Sequence, residues 1–387
     1  MYSAASLLIS IALMLLLMYM KLDISLCLLA GAITLVLLTN PLLLPKVILT
    51  TLLSETFWIV FSATASICIL AELFHNLGID NEVAQTVVSI MRPKVAIMLL
   101  PAVLGLLPVA GGALLSAPLV DALSLCNSVM KAYINVWFRH TIFLAYPITN
   151  SMILISSLSG ADSFSIALFN TPLMLLTVAV GYVIGVRKLE VVHLVRVRPK
   201  YTSLLTLLIP LVIALATRPL VSGFSIGIGV IASIVFIVFT YRPSSTILRK
   251  VLSSKRVWST TLASFAVILL SFSVKMTSAY TVISGLSKHL PRDVLLLLVP
   301  YVLSLVTGSQ TFSITVSASV LTASSFKDAV LIFNSSFFGY VPSPVHLCLV
   351  YSVKYYNADV VRVYKYIGPS TLLSYLFFIS YALLLLS

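Results

Sequence analysis

Apolar runs about as long as a bilayer is thick recur along this chain, and nothing constrains its fold more. A hydrocarbon core of about 30 Å takes about 20 residues of helix, fewer where the flanks are polar. Ten segments meet that measure, near 4–20, 22–39, 47–73, 136–158, 163–186, 202–217, 220–240, 258–280, 329–351 and 368–387. A soluble chain of 387 residues would have about a quarter of its side chains charged. Here 9% are charged and 60% are hydrophobic, too few polar groups to cover a water-soluble globule. The class that remains is an all-α polytopic membrane protein. The first run, Ala4 to Met20, has no preceding positive charge and no small-residue cleavage site. It reads as a first span and not as a signal peptide.

Two further apolar stretches, 93–125 and 293–324, are interrupted, the first at Pro108 to Gly112 and the second at Thr307 to Ser309. Each is too long for one simple helix and too broken for two full spans, so each is expected to be a re-entrant hairpin. Charge placement tests this. With the hairpins counted as non-crossing, 17 basic residues fall on one side, among them Arg92, Lys94, Lys131, Arg187, Lys200, Arg242 and Arg362. The other side receives five: Lys46, Arg218, Lys288, Arg292 and Lys327. The positive-inside rule makes the richer side cytoplasmic and places both termini outside the cell membrane. The net charge of +13 therefore reports orientation and contact with headgroups; no basic groove or aromatic-basic interleaving points to nucleic acid.

Sliding the chain by about 199 residues superimposes its two halves in span order and break position. The first repeat is expected over 1–200, with five spans and a cytoplasmic-side hairpin at 93–125. The second covers 201–387, with five spans and an outer-side hairpin at 293–324. Short mixed-polarity segments, 79–92 and 281–292, precede the hairpins and suit helices lying in the interface. Five crossings are an odd number, so the second half runs with inverted topology and the hairpin tips approach from opposite sides. Inverted repeats with broken helices at mid-membrane mark secondary transporters.

At the first tip, Gly111 and Gly112 permit a tight turn and close approach to a ligand. The limb that follows carries Ser116 and offers free N–H groups to an anion. The second tip holds Thr307, Gly308, Ser309 and Thr311, the head of an alternating hydroxyl series running through Ser313, Thr315, Ser317 and Ser319. These residues are the expected substrate-binding set, the later hydroxyls being equally suited to bonding back to their own helix. Ionisable groups within the apolar layer are costly and are the coupling candidates: Asp121, His140, His346 and Glu55. Arg139 and Lys275 are read as snorkelling to the interface. Cys27, Cys68, Cys126 and Cys348 stand singly, with no Cys-x-x-Cys pair and no His at ligand spacing. They read as small hydrophobes, without a metal site or disulfide framework.

The run Leu106-Leu-Pro-Val-Ala-Gly-Gly-Ala-Leu-Leu-Ser-Ala-Pro-Leu-Val-Asp121, with Asn135-Val-Trp-Phe-Arg-His140 and Ser343-Pro-Val-His-Leu-Cys348, resembles an uncharacterised prokaryotic membrane family, domain of unknown function 401. That family is grouped with the ion transporter superfamily, which includes gluconate, citrate, lactate and dicarboxylate permeases. The resemblance implies a ten-span, inverted-repeat carrier with an elevator motion of its hairpin-bearing half. The expected activity is ion-coupled transport of a small organic anion, driven by H⁺ or Na⁺, with no other cofactor. An intramembrane enzyme, a channel and a scaffold subunit are the competing classes; His-Glu-x-x-His, Gly-x-Ser-x-Gly and Walker A patterns are absent. The expected partners are the bilayer and the solute, with a homodimer left open.

Overall fold

The computed structural model describes residues 2–20, 22–106, 113–190, 198–277 and 290–386. Among them the regular structure is all helix. Up to Gly181 the chain forms α1 (Tyr2–Tyr19), α2 (Ile24–Thr39), α3 (Leu44–Leu53), α4 (Glu55–Leu77), α5 (Ile79–Ile90), α6 (Pro93–Gly105), α7 (Ala113–Leu123), α8 (Ser128–Thr141), α9 (Asn150–Ser159) and α10 (Ser163–Gly181). The remainder forms α11 (Tyr201–Val221), α12 (Ser225–Tyr241), α13 (Ser245–Leu252), α14 (Lys255–Met276), α15 (Arg292–Thr307), α16 (Gln310–Val320), α17 (Phe326–Tyr340), α18 (Leu347–Tyr355) and α19 (Val360–Leu386).

Five helical stretches among the described residues are long and apolar enough to cross a membrane: Glu55–Leu77, Ser163–Val186, Tyr201–Val221, Ser245–Met276 and Val360–Leu386. Three expected spans are divided. The run 47–73 breaks at Ser54, whose backbone turns extended (ψ 133°) and whose hydroxyl accepts from Phe57 N–H at 3.2 Å. That cap starts a new helix. The run 136–158 breaks between Thr141 and Asn150, and 329–351 between Tyr340 and Leu347. Pro147 lies in the first gap, Pro342 and Pro344 in the second; with no N–H to donate, each stops the helical ladder.

Phe74, Phe138, Phe312 and Phe333 are among the buried apolar side chains of the core, yet on α11 and α12 the pattern is turned about, with large apolar side chains outward and small or polar ones inward. On α11, Leu205, Leu208, Val212 and Leu215 are exposed while Ser203, Thr206 and Ala214 are buried. The buried stripe packs on the small face of α12, Ser225, Gly229 and Ser233. Ser233 Oγ donates to the Thr206 carbonyl at 2.7 Å, and a Cβ on Gly229 would strike the Pro210 carbonyl. Small residues and inter-helix hydroxyl bonds at a close crossing are how helices associate where lipid removes the hydrophobic drive between them. Ser10 Oγ donates to the Gly31 carbonyl at 2.7 Å in the same manner between α1 and α2.

Two compact units divide the chain. The first comprises Met1–Ala65, Asn150–Ile166 and Lys255–Tyr340; the second comprises Ser66–Thr149, Ala167–Ser254 and Val341–Ser387. In the first unit α15, α16 and α17 pack on one another, with α9 against α16 and α17. The starts of α15 and α17 are tied by Arg292 Nη2 donating to buried Asp328 at 2.9 Å, with Ser324 N–H bonding the same carboxylate oxygen. In the second unit α6, α7 and α8 pack on one another, with α18 against α7 and α8 and α19 along α8. The expected interfacial segment 79–92 is α5, whose Glu82 takes Lys200 Nζ at 2.6 Å and the Tyr241 hydroxyl at 2.9 Å. Its counterpart at 281–292 lies, up to residue 289, outside the described residues.

Glycine sets the closest helix approaches. A Cβ on Gly339 in α17 would meet the Tyr301 backbone carbonyl of α15, and one on Gly105 in α6 the Arg139 carbonyl of α8. Backbone cannot move aside as a side-chain tip can. Gly339→Ala is expected to cost about 1–3 kcal/mol through overpacking, read as a lowered unfolding temperature in detergent. Gly368→Ala, in α19 with open space at its Cβ, is the control and is expected to be neutral or to gain up to about 1 kcal/mol from helix propensity.

Candidate functional site

Two buried polar centres lie in the second unit. The first is built on Asn135, a fully buried residue of α8. Its Oδ1 accepts from Ser116 Oγ at 2.6 Å, and its Nδ2 donates to the Ala113 carbonyl and to Ser352 Oγ, both at 2.9 Å. One amide thereby fixes the opening turn of α7 to α8 and to α18. Tyr356 supports the same limb by donating to the Ala117 carbonyl at 2.7 Å. Ser116 is therefore buried and engaged with Asn135.

The second centre lies where α8 ends and where α18 begins. His140 is in the last turn of α8, and His346 immediately precedes α18. Their rings stand edge to face with centroids 4.6 Å apart, and Phe143 closes a further side at 5.4 Å from His140. One ligand atom from each of His140, His346 and Cys348 lies within 4.8 Å of the others. Both imidazoles are buried, and Cys348 is half-buried. Arg139, expected to snorkel, is instead 3% exposed and its charge reaches both rings. The α8 helix buries every side chain from Ala132 to Thr141, Arg139 among them. Cys348, expected to be a plain hydrophobe, offers a thiol beside two imidazoles; the spacing His346-Leu-Cys348 was the signal for it.

The remaining expected site residues are distributed. Gly111 and Gly112 lie outside the described residues. Asp121, in α7, pairs with Lys131 Nζ at 2.6 Å and is about half exposed, at the mouth of an open cleft that Asn127, Ser128 and Tyr355 also line. Glu55 is exposed in the first turn of α4, where the helix dipole favours its charge. It opens a helix where a position inside a longer span was expected. In the first unit, Gly308 takes the left-handed conformation (φ 61°) that ends α15, and Ser309 Oγ accepts from Phe312 N–H at 3.2 Å to cap α16. Thr307 and Thr315 hydroxyls bond back to the Leu303 and Thr311 carbonyls, at 2.6 and 2.7 Å. Ser313 alone of this series is seen crossing between helices, to the Pro300 carbonyl at 2.6 Å and Ser336 at 3.0 Å.

The family model described as Protein of unknown function (DUF401) matches residues 1–384. The chain belongs to that family. No curated protein matches it. Within this DUF401 member the three quoted motifs converge in the second unit: Ser116 meets Asn135, and His140 meets His346 and Cys348.

Asn135→Ala would leave the Ala113 carbonyl and two hydroxyls short of a buried partner, each loss worth about 1–3 kcal/mol. The variant is expected to unfold at lower temperature than Ser116→Ala, which removes one of those bonds. Thermal unfolding of both in detergent, with equal losses contradicting the central role of Asn135, checks this.

Proposed function

We propose that this chain is an ion-coupled secondary transporter for a small organic anion in the cell membrane, with both termini outside. We place it with the ion transporter superfamily of gluconate, citrate, lactate and dicarboxylate permeases. The observation that carries this is a recurrence in element order. A shift of 199 residues, the step from Pro101 to Pro300 and from Asn135 to Asn334, lays α1–α4 on α11–α14 and α6–α10 on α15–α19. Corresponding trios, α6–α7–α8 and α15–α16–α17, are each mutually packed, and in each a glycine lets the outer two helices touch backbone. The gaps at 142–149 and 341–346 also correspond, each following the third helix of its trio.

Helix lengths support re-entry. At 11 residues each, α7 and α16 reach about 16 Å, roughly half the hydrocarbon thickness. The starts of two such short helices offer N–H groups, one of them in α16 already taken by Ser309 Oγ, and a positive dipole end, which suits a carboxylate at mid-membrane. In this reading Gly111, Gly112 and Thr307 to Thr311 are solute contacts, and Ser116 holds the start of α7 in place through Asn135. His140 and His346 are the buried basic pair available to a coupling cation, with Asp121 and Glu55 at exposed positions suited to its entry. Alternating access follows an elevator movement of the hairpin-bearing elements.

Purified protein in proteoliposomes tests the proposal. A screen of small organic acids is expected to find uptake above equilibrium that collapses when the H⁺ or Na⁺ gradient is dissipated. Uptake that stops at equilibrium would instead make the chain a channel. Gly111→Cys and Ser309→Cys are expected to label with water-borne maleimide more than ten times faster than a cysteine replacing exposed Leu372 of α19 (a lipid-facing control, roughly an order of magnitude by solvation). Labelling as slow as that control would exclude the hairpin tips as the solute path.

A further inference from the structure

We infer that His140, His346 and Cys348 form a binding site for a single thiophilic metal ion, Zn²⁺ or Cu⁺. The donors are the ones such ions select: imidazole suits both, and thiolate selects for the softer. Their separation is close to that of a filled site. Bonds of about 2.0–2.3 Å set tetrahedral ligand atoms roughly 3.3–3.7 Å apart, so ligand atoms within 4.8 Å of one another need to close by about 1 Å.

Hydrogen bonds to the backbone set both rings for ligation. His140 Nδ1 lies 2.6 Å from the Val136 carbonyl and His346 Nδ1 lies 3.3 Å from the Val341 carbonyl. A carbonyl only accepts, so each ring carries its proton on Nδ1 and directs the Nε2 lone pair to the other side. That is the second-shell arrangement by which proteins fix the tautomer of a metal-bound histidine. The rings are held in place by different means: His140 by the regular α8 ladder, His346 by the Pro342–Pro344 break that turns the chain toward α18. Half-buried Cys348 leaves an edge for the ion to enter.

Binding is an exchange of one proton. The Cys348 thiol loses its hydrogen to solvent as the S–metal bond forms, and the two neutral imidazoles add lone pairs with no change of charge. Cu⁺ with one thiolate is neutral, whereas Zn²⁺ leaves one positive charge beside Arg139 and calls for an anion from solution in a fourth position, or for a bound water that releases a second proton. In a buried site the neutral combination carries the smaller desolvation cost. The chemistry is shared by both ions, and the loading arms separate them.

Detergent-solubilised protein is loaded with Zn²⁺ in one arm and with Cu⁺ under reductant in another, desalted, and assayed for metal by mass spectrometry. Co²⁺ serves as the optical probe for thiolate ligation. Expected is about one ion per chain in at least one arm, a thiolate-to-cobalt charge-transfer band, and a raised unfolding temperature on loading. Cys348→Ser is expected to lose the band and weaken binding about 10–100-fold, with the unloaded variant as stable as the parent; Cys126→Ser is expected to bind as the parent does. His346→Ala is expected to bind no better than Cys348→Ser. Retention no greater in the parent than in Cys348→Ser, or cobalt binding without the thiolate band, would overturn the site. No vesicle or solute enters this measurement, so its failure leaves the transport proposal standing, and a failed uptake screen leaves the metal site standing.

Discussion

Every polar group that leaves water in this chain must be met from within the chain, because lipid offers no hydrogen bonds. That requirement organises the structure. It puts Ser203, Thr206 and Ser233 inward and leaves Leu205, Leu208 and Val212 outside. It also governs the non-helical backbone. In the 341–346 gap the Val341 carbonyl takes His346 Nδ1, the Pro342 carbonyl takes the Tyr364 hydroxyl at 2.7 Å, and the Ser343 carbonyl takes His346 N–H at 3.1 Å. A break in the helix is tolerated there because its carbonyls are claimed. The same carbonyls orient an imidazole, so the cost of breaking the helix and the construction of a site are one arrangement.

Proline illustrates how far the amino-acid order can be read. Pro101, Pro172, Pro210, Pro300 and Pro369 sit inside continuous helices, whereas Pro147, Pro342 and Pro344 lie in gaps. The residue type is identical in both settings. What differs is the partners available to the surrounding backbone: Ser313 reaches the Pro300 carbonyl from a neighbouring helix, a contact that the residue type does not announce. The apolar runs accordingly announced helices of membrane type, while the divisions at Ser54, 142–149 and 341–346 emerged only from three-dimensional context.

The chemistry divides in the same way. His140 and His346 stood out because an ionisable group in an apolar run is expensive, and both prove to be buried. Asn135 and Cys348 did not stand out. An amide at the start of an apolar segment and a thiol among hydrophobes are each cheap to bury alone, so Asn135 carries no local signal and Cys348 only its two-residue step from His346. Their importance comes from partners more than 200 residues away, Ser352 for Asn135 and His140 for Cys348. Arg139 marks the opposite error: its long side chain suggested an interface, yet α8 is enclosed on nearly all sides over its last ten residues.

Composition and hydrophobic run length by themselves determined that this chain is helical and of membrane type, because helix is the structure that satisfies its own backbone in an apolar medium. They also determined which residues were costly to bury. Only the tertiary structure decided which of those residues meet. Helix hydrogen bonds close within four residues and can be read locally, but a shared carbonyl, a crossing glycine or two imidazoles in contact depend on elements far apart in the chain. Distance along the sequence does not encode distance in space, and at Asn135 and at the His140–His346–Cys348 cluster that difference made the sites.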